Sequence, residues 1–422
     1  MASILFYLNL SPVYLLLLLG VGIATYSFTK AIANTKNEKK KYTFLMTNVI
    51  LILLPLFFFK YFGAINNYCF SMLSQNGLHW PLPELKFLLP VGISFYTFVA
   101  IGYTIDVYNE EVEVEKDFGI VMLFISFFPL ILSGPIERAG NMLPQFKNLK
   151  PISFDNITAG LKLMLWGYFM KLVVADRLGM YIDSVYNNID NHNGSTLLLT
   201  TALYPFQVYT DLGGYSLIAI GTAKALGLEV MQNFRRPFFA TSMADLWRRW
   251  HISLITWLTD YLYTPMAFHF RKYKMKGIML ALILTFLISG IWHGAALTFI
   301  FWGFMQGFYL CIELLTQKRR TTWEQKHNLN NNMFYLVACM ILTYILFSAS
   351  QIFGRAPDLK TAFSVFRKIF SERGNLFLDI TTLSFAILGL TLVMLKDIND
   401  EFFNNKYSLF SSKIGAIRYS AY

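Results

Sequence analysis

The chain has 422 residues, of which 55% are hydrophobic and 17% aromatic, against only 14% charged. So large an apolar excess lies outside the range of soluble globular domains and points to an all-α polytopic membrane protein. The formal net charge of +11 would suit a nucleic-acid binder, but the lysines and arginines fall in short segments between apolar runs. That is the pattern of membrane orientation, and no nucleic-acid partner is expected.

Pro12 to Thr29 reads as a first span that is retained, since no strongly basic region precedes it and no small-residue cleavage site marks its end. Lys36, Lys39, Lys40 and Lys41 then mark a cytoplasmic loop, so the chain is expected to start outside. Tyr42 to Tyr61 crosses back, with Pro55 tolerated where neighbours satisfy the freed carbonyl. Gly63 to Lys86, rich in Asn, Ser, Gly and Pro, is expected as an external loop. Phe87 to Tyr108 returns inward, and Glu110, Glu111, Glu113 and Glu115 beyond it form a solvated acidic run. Phe118 to Leu132 is apolar but short, and Gly134-Pro135 breaks regular structure after it; a re-entrant element and a full crossing are both open.

Ile157 to Ile182 carries Lys162, Lys171, Asp176 and Arg177, which fits a helix facing other helices better than one facing lipid. A polar loop from Asn187 to Ser195 leads to a long apolar segment, Leu197 to Leu228, interrupted by Pro205, Gln207, Asp211, Gly213 and Gly214. From Glu229 to Arg271 the chain turns basic and aromatic, and its apolar runs are too short to span; a cytoplasmic, interfacial and partly re-entrant segment is expected. Gly277 to Thr316 is almost wholly apolar. Arg271, Lys272, Lys274 and Lys276 precede it and Lys318, Arg319 and Arg320 follow, so both ends lie on the cytoplasmic side and the stretch folds back on itself. The bend is expected within Ser289 to Gly294. Residues Gly277 to Ile291 make a helix of about 22 Å, short of about 30 Å of hydrocarbon, which puts the tip inside the membrane. Met333 to Phe353 is a further span, Leu383 to Leu395 a shorter last one, and Phe402 to Tyr422 a polar, basic end. The sum is one domain, residues 1–422, with about nine to eleven transmembrane or re-entrant helices. Cys69, Cys311 and Cys339 are too far apart for a disulfide framework or a metal cluster, and no metal is expected.

Three groups of residues carry chemistry. His293, in Ser289-Gly290-Ile291-Trp292-His293-Gly294, is an ionisable ring at bilayer depth with small neighbours and Trp292 beside it. It is either a general base or acid, or a hydrogen bond between helices. In DLWRRWHISLITWLTDYLYTP, Arg248 and Arg249 have the chemistry to grip a phosphate while Trp250 and its fellow tryptophans stack or anchor. Headgroup anchoring is the simpler alternative. Asp211 lies within an apolar run and either positions a histidine or pairs with Lys171, Arg177 or an arginine of the second group. No P-loop, G-x-S-x-G, H-E-x-x-H or C-x-x-C occurs, so nucleotide hydrolysis, serine hydrolysis and zinc chemistry lack support.

SGIWHG and DLWRRWHISLITWLTDYLYTP together resemble the membrane-bound O-acyltransferase (MBOAT) family, in the bacterial branch of alginate O-acetylation and, more distantly, teichoic-acid D-alanylation. PVGISFYTFVAIGYTIDVY, SFFPLILSGPIERAGNMLPQF, GYFMKLVVADRLG and PFQVYTDLGGYSLIAIGTAKALG agree in the same order, and the resemblance covers roughly Phe87 to Phe308. It implies an O-acyltransferase of the bacterial cell membrane with His293 as the catalytic histidine and His251 as the second family histidine. Arg248, Arg249, Trp250, Trp292 and Asp211 would support the donor. The donor would be an acyl-CoA or acyl-carrier thioester, and no cofactor is bound. The acyl group, acetyl by analogy, would pass to an extracytoplasmic polysaccharide hydroxyl or to an exported acyltransferase partner. A transporter or flippase is the competing class, since broken helices and midplane polar residues mark those too. Two departures stand out. Where the branch reads D-F-S-G-Y-S-D, this chain has Asp211-Leu212-Gly213-Gly214-Tyr215-Ser216-Leu217, and a C-terminal span common in relatives is expected to be missing.

Overall fold

The computed structural model describes residues 2–10, 12–78, 81–83 and 89–403, and every regular element among them is helical. Helices satisfy their own backbone polar groups, as an apolar surrounding demands. Among the described residues seven helices are long and apolar enough to cross a membrane, and Ile93–Tyr108 and Phe118–Ile131 are shorter apolar ones, which meets the expected range. The described residues form two compact units. One runs to Thr158 and includes Thr222–Met231; the other comprises Ala159–Gly221 and the chain from Gln232 onward.

The first unit contains α1 (Ala2–Leu10), α2 (Pro12–Asn34), α3 (Glu38–Gln75), α4 (Ile93–Tyr108), α5 (Phe118–Ile125) and α6 (Ala139–Lys147). Helix α3 is capped by Asn37, whose side chain accepts from the Lys40 N–H at 3.2 Å. It passes Pro55 and one π turn at Phe58–Phe62, then continues to Gln75. The first half of the expected external loop is therefore helical: Ile65, Phe70, Met72 and Leu73 carry the apolar pattern on, and the wide turn accommodates the ladder that Pro55 interrupts. Part of the remaining loop, and the start of the expected Phe87 span, lie outside the described residues. Fully buried Asn48 joins α3 to α4 by donating to Thr104 at 2.8 Å. After the Gly134-Pro135 break, Glu137 is buried and accepts from Asn141 Nδ2 at 2.9 Å and from the Met231 backbone N–H. Burial holds its carboxyl above the usual range.

The second unit contains α7 (Phe154–Tyr186), α8 (Gly194–Ala225), α9 (Met243–Trp247), α10 (Ile252–Leu258), α11 (Lys274–His293), α12 (Leu297–Lys326), α13 (Met333–Arg355), α14 (Leu359–Ser371) and α15 (Ile380–Phe402). The folded-back hairpin is α11 with α12, the most closely packed helix pair described. Its turn lies at Gly294 to Ala296, at the very end of the expected bend, because Ser289 to His293 remain helical. Gly290 serves packing instead: a Cβ there would stand 2.3 Å from the Phe299 carbonyl oxygen, and one on Gly303 2.2 Å from that of Phe286. The helix runs from Lys274 to His293, 20 residues and about 30 Å, so it is longer than the expected length of about 22 Å and long enough to cross a membrane. Helix α14 was not expected. Its Ala362, Val365 and Ile369 face inward, and Lys368 Nζ donates to the carbonyls of Ile189, Asp190 and His192 at 3.1, 3.1 and 3.0 Å. Helix α15 outlasts the expected short span because its polar end, Lys396 to Glu401, is helical and engaged in ion pairs.

Candidate active site

His293 is the last residue of α11, exposed at the turn into α12. Aromatic rings hold it: Trp292 at 4.6 Å and Trp302 at 5.0 Å between centroids, both edge-on, and Phe299 at 6.5 Å nearly parallel. An exposed ring between flat apolar walls suits a group that must meet a substrate.

His251 is built differently. It starts α10 with φ 45°, ψ 49°, a left-handed conformation uncommon outside glycine. The strands of chain around it pair through their backbones: Arg235 N–H donates to the Arg249 carbonyl and Ile252 N–H to that of Asn233, each at 2.8 Å. Its ring lies along Phe234, with Nδ1 3.1 Å from Asn233 Oδ1. That oxygen also accepts from the backbone N–H of Ser253 at 3.2 Å and from its hydroxyl at 2.9 Å, while Asn233 Nδ2 donates to Ser216 Oγ at 3.0 Å. Burial pushes the His251 pKa down to about 4, because the charged ring would have to leave water.

The two arginines before it part ways. Arg249 is held inside, its Nε 3.1 Å from Asp245 and its Nη1 2.9 Å from Glu401. Glu401 also takes Arg236 Nε at 3.0 Å, so one carboxylate at the end of α15 ties two guanidiniums. The Arg248 side chain is 67% exposed, with Asp245 at 3.6 Å. Trp250 is buried among Phe234, Phe238 and Phe347. Asp211 pairs with Lys171 at 2.8 Å, which also reaches Asp176 at 2.6 Å. Of the partners open to Asp211 in the sequence, it takes the lysine.

A continuous aromatic wall joins the histidines. His293 meets Trp302, Trp302 meets Trp247 at 6.1 Å, Trp247 meets Phe347 at 6.1 Å, Phe347 meets Trp250 at 4.9 Å, and Trp250 precedes His251 in the chain. The motifs of α9–α10 and of the hairpin thus belong to one core. Beside it a cavity of about 180 Å³ is lined by Tyr209, Ser216, Asn233, Arg235, Lys396 and Asp397, among others. Asn233, Ser216, Asp397 and Glu401 escaped the sequence reading. The last two could have been found: Asp397, Asp400 and Glu401 form a carboxylate cluster closing an apolar run, the complement of Arg235-Arg236 and Arg248-Arg249. Asn233 carries no such signal.

A family model, described as the membrane-bound O-acyltransferase family, matches residues 117–351. The chain is 30% identical to the probable alginate O-acetylase AlgI of Pseudomonas aeruginosa, over 95% of this chain and 76% of that protein. It is 30% identical to the peptidoglycan O-acetyltransferase of Helicobacter pylori over 89% of this chain and 73% of that one. With the teichoic acid D-alanyltransferase of Bacillus subtilis the identity is 26%, over 70% and 73%. Bacterial relatives and seven candidate spans make this a multi-pass protein of the bacterial inner membrane. The expected family resemblance holds over the motifs that suggested it, and the chain belongs to the membrane-bound O-acyltransferase family, as an acyltransferase.

Proposed function

We propose that this enzyme moves an acyl group, acetyl by analogy with its O-acetylating relatives, from a cytoplasmic thioester to an extracytoplasmic hydroxyl, with His293 as general base. The donor is acyl-CoA or an acyl-carrier protein. The acceptor is a polysaccharide or an exported acyltransferase that serves one. A protonated hydroxyl is a poor nucleophile. In the proposed step the acceptor oxygen gives its proton to the imidazole of His293 while attacking the thioester carbonyl carbon. The C–O bond forms, the C–S bond breaks, and the departing thiolate takes the proton back. General-base help of this kind is worth about 10²–10⁴-fold. The observation that carries the reading is the exposed imidazole of His293 at a helix end, set between Trp292 and Trp302.

On the donor side, Arg248 has the exposed guanidinium that a phosphate needs, while Arg249 fixes the loop that presents it. Asp211 and Lys171 brace the same unit.

The test is acyl transfer from labelled thioester by purified, membrane-inserted His293→Ala. A fall of about 10²-fold or more supports the base role. Transfer at the wild-type rate refutes it, and substrate movement without transfer by the wild type would mark a transporter.

A further inference from the structure

The amide of Asn233 is fully buried, and its orientation is fixed by a group that can only donate. The backbone N–H of Ser253 points at the amide atom 3.2 Å away, so that atom is the oxygen. Turned the other way, the NH2 would face that N–H and lose Ser216 Oγ, its present acceptor at 3.0 Å. The same oxygen stands 3.1 Å from Nδ1 of His251. An amide oxygen only accepts, so Nδ1 must supply the proton. The neutral ring has one proton to place. Nε2 is then bare, and it makes no hydrogen bond among the described residues.

We infer that Asn233 is a positioning residue that locks His251 into its Nδ1–H form and so presents Nε2 as a hydrogen-bond acceptor for an N–H or O–H group of the thioester donor. The second half rests on the acyl-transfer reading; the first does not. Several features agree with the assignment. Burial keeps the ring neutral, with its pKa near 4. The Asn233 carbonyl takes the Ile252 N–H at 2.8 Å, so the amide and the loop that starts α10 are held by one residue. Asn233 and Ser216, the two residues of this amide pair, also line the cavity beside the aromatic wall. A thioester arm built on pantetheine offers amide N–H groups of that kind.

The experiment uses the full chain in lipid nanodiscs with ¹⁵N-labelled histidine. The protein has six histidines, and His251 is assigned by difference from His251→Gln. Wild-type protein should show a protonated Nδ1 and an unprotonated Nε2 for this ring. Asn233→Leu should lose that pattern and turn over at least about tenfold more slowly, the scale of one positioned hydrogen bond. Asn233→Asp, which keeps an oxygen for Nδ1, should restore the pattern and most of the turnover. A wild-type ring protonated at Nε2 overturns the inference without any variant having to fold. So does an Asn233→Leu protein that keeps both the Nδ1–H form and full turnover. If the preparation transfers no acyl group at all, the function proposed above fails while the wild-type spectrum still decides the Nδ1–H assignment.

Discussion

His293 and His251 belong to one aromatic core but to opposite kinds of site. The first is exposed at a helix end, beside the rings of Trp292, Phe299 and Trp302. The second is 4% exposed and pinned through Nδ1, two residues after Arg249, which belongs to an ion-paired frame with Asp245, Arg236 and Glu401. A ring that exchanges protons with substrate must be reached, and one that holds an arm of substrate must be rigid. The difference in surroundings separates the two proposed tasks more sharply than the motifs do, since both read simply as histidine after tryptophan.

The sharpest way to break the comparison is to delete each ring. His293→Ala should lose transfer by about 10²–10⁴-fold while unfolding at the wild-type temperature. His251→Ala should lose transfer and also unfold earlier, because it leaves a cavity in the buried core and removes one of the hydrogen bonds of the fully buried Asn233 amide. Thermal scans in detergent beside donor-turnover assays separate the two. Equal stability losses in both variants would erase the distinction.

Acid is the next lever. His251 has a folded-state pKa of about 4 against an ordinary value of about 6.5, so between these values the unfolded chain binds more protons. Its contribution to stability is complete above about pH 6.5, declines as pH falls, and levels off below about 4. The span is on the order of 3 kcal/mol. Wild type should therefore steepen its loss of stability across this window relative to His251→Gln. Parallel curves would mean that the ring is wetter than its surroundings imply.

How much of this was legible in the sequence follows from how each feature is encoded. Spans were legible because an apolar run has to be continuous, and Pro12–Asn34 and Met333–Arg355 appear nearly as read. Boundaries set by long-range partners were not. Helix α15 runs to Phe402 because Glu401 meets arginines more than a hundred residues away. Gly290 looked like a bend because the sequence cannot tell a glycine that turns the chain from one that lets another helix approach; its contact with Phe299 decides. The motif histidines were legible through resemblance. Asn233 was not, because an asparagine in a loop has no periodicity, and its role exists only once Ser216, His251 and Ser253 surround it.

Glu401→Gln tests the frame around His251. One carboxylate shared by two partly buried guanidiniums should cost about 2 kcal/mol when neutralised, less than a fully buried pair because Arg236 keeps 26% exposure. Chemical denaturation should show the shift, and Arg249→Met should repeat it. If neither variant moves the midpoint, the frame is ornamental and rigidity at His251 has another source.

The smallest expected effect lies with Arg248. Its side chain is mostly in solvent and its ion pair with Asp245 is long, so Arg248→Ala should change stability by less than about 0.5 kcal/mol. Its effect should instead appear in donor use, as a few-fold rise in the KM for thioester with little change in kcat, since a phosphate grip strengthens ground state and transition state alike. Salt should mimic the variant, because an exposed cation–phosphate contact is screened. Arg248→Ala with unchanged KM at low salt would return this arginine to headgroup anchoring. His251 and its asparagine would then be the donor-side contacts still carrying the contrast with His293.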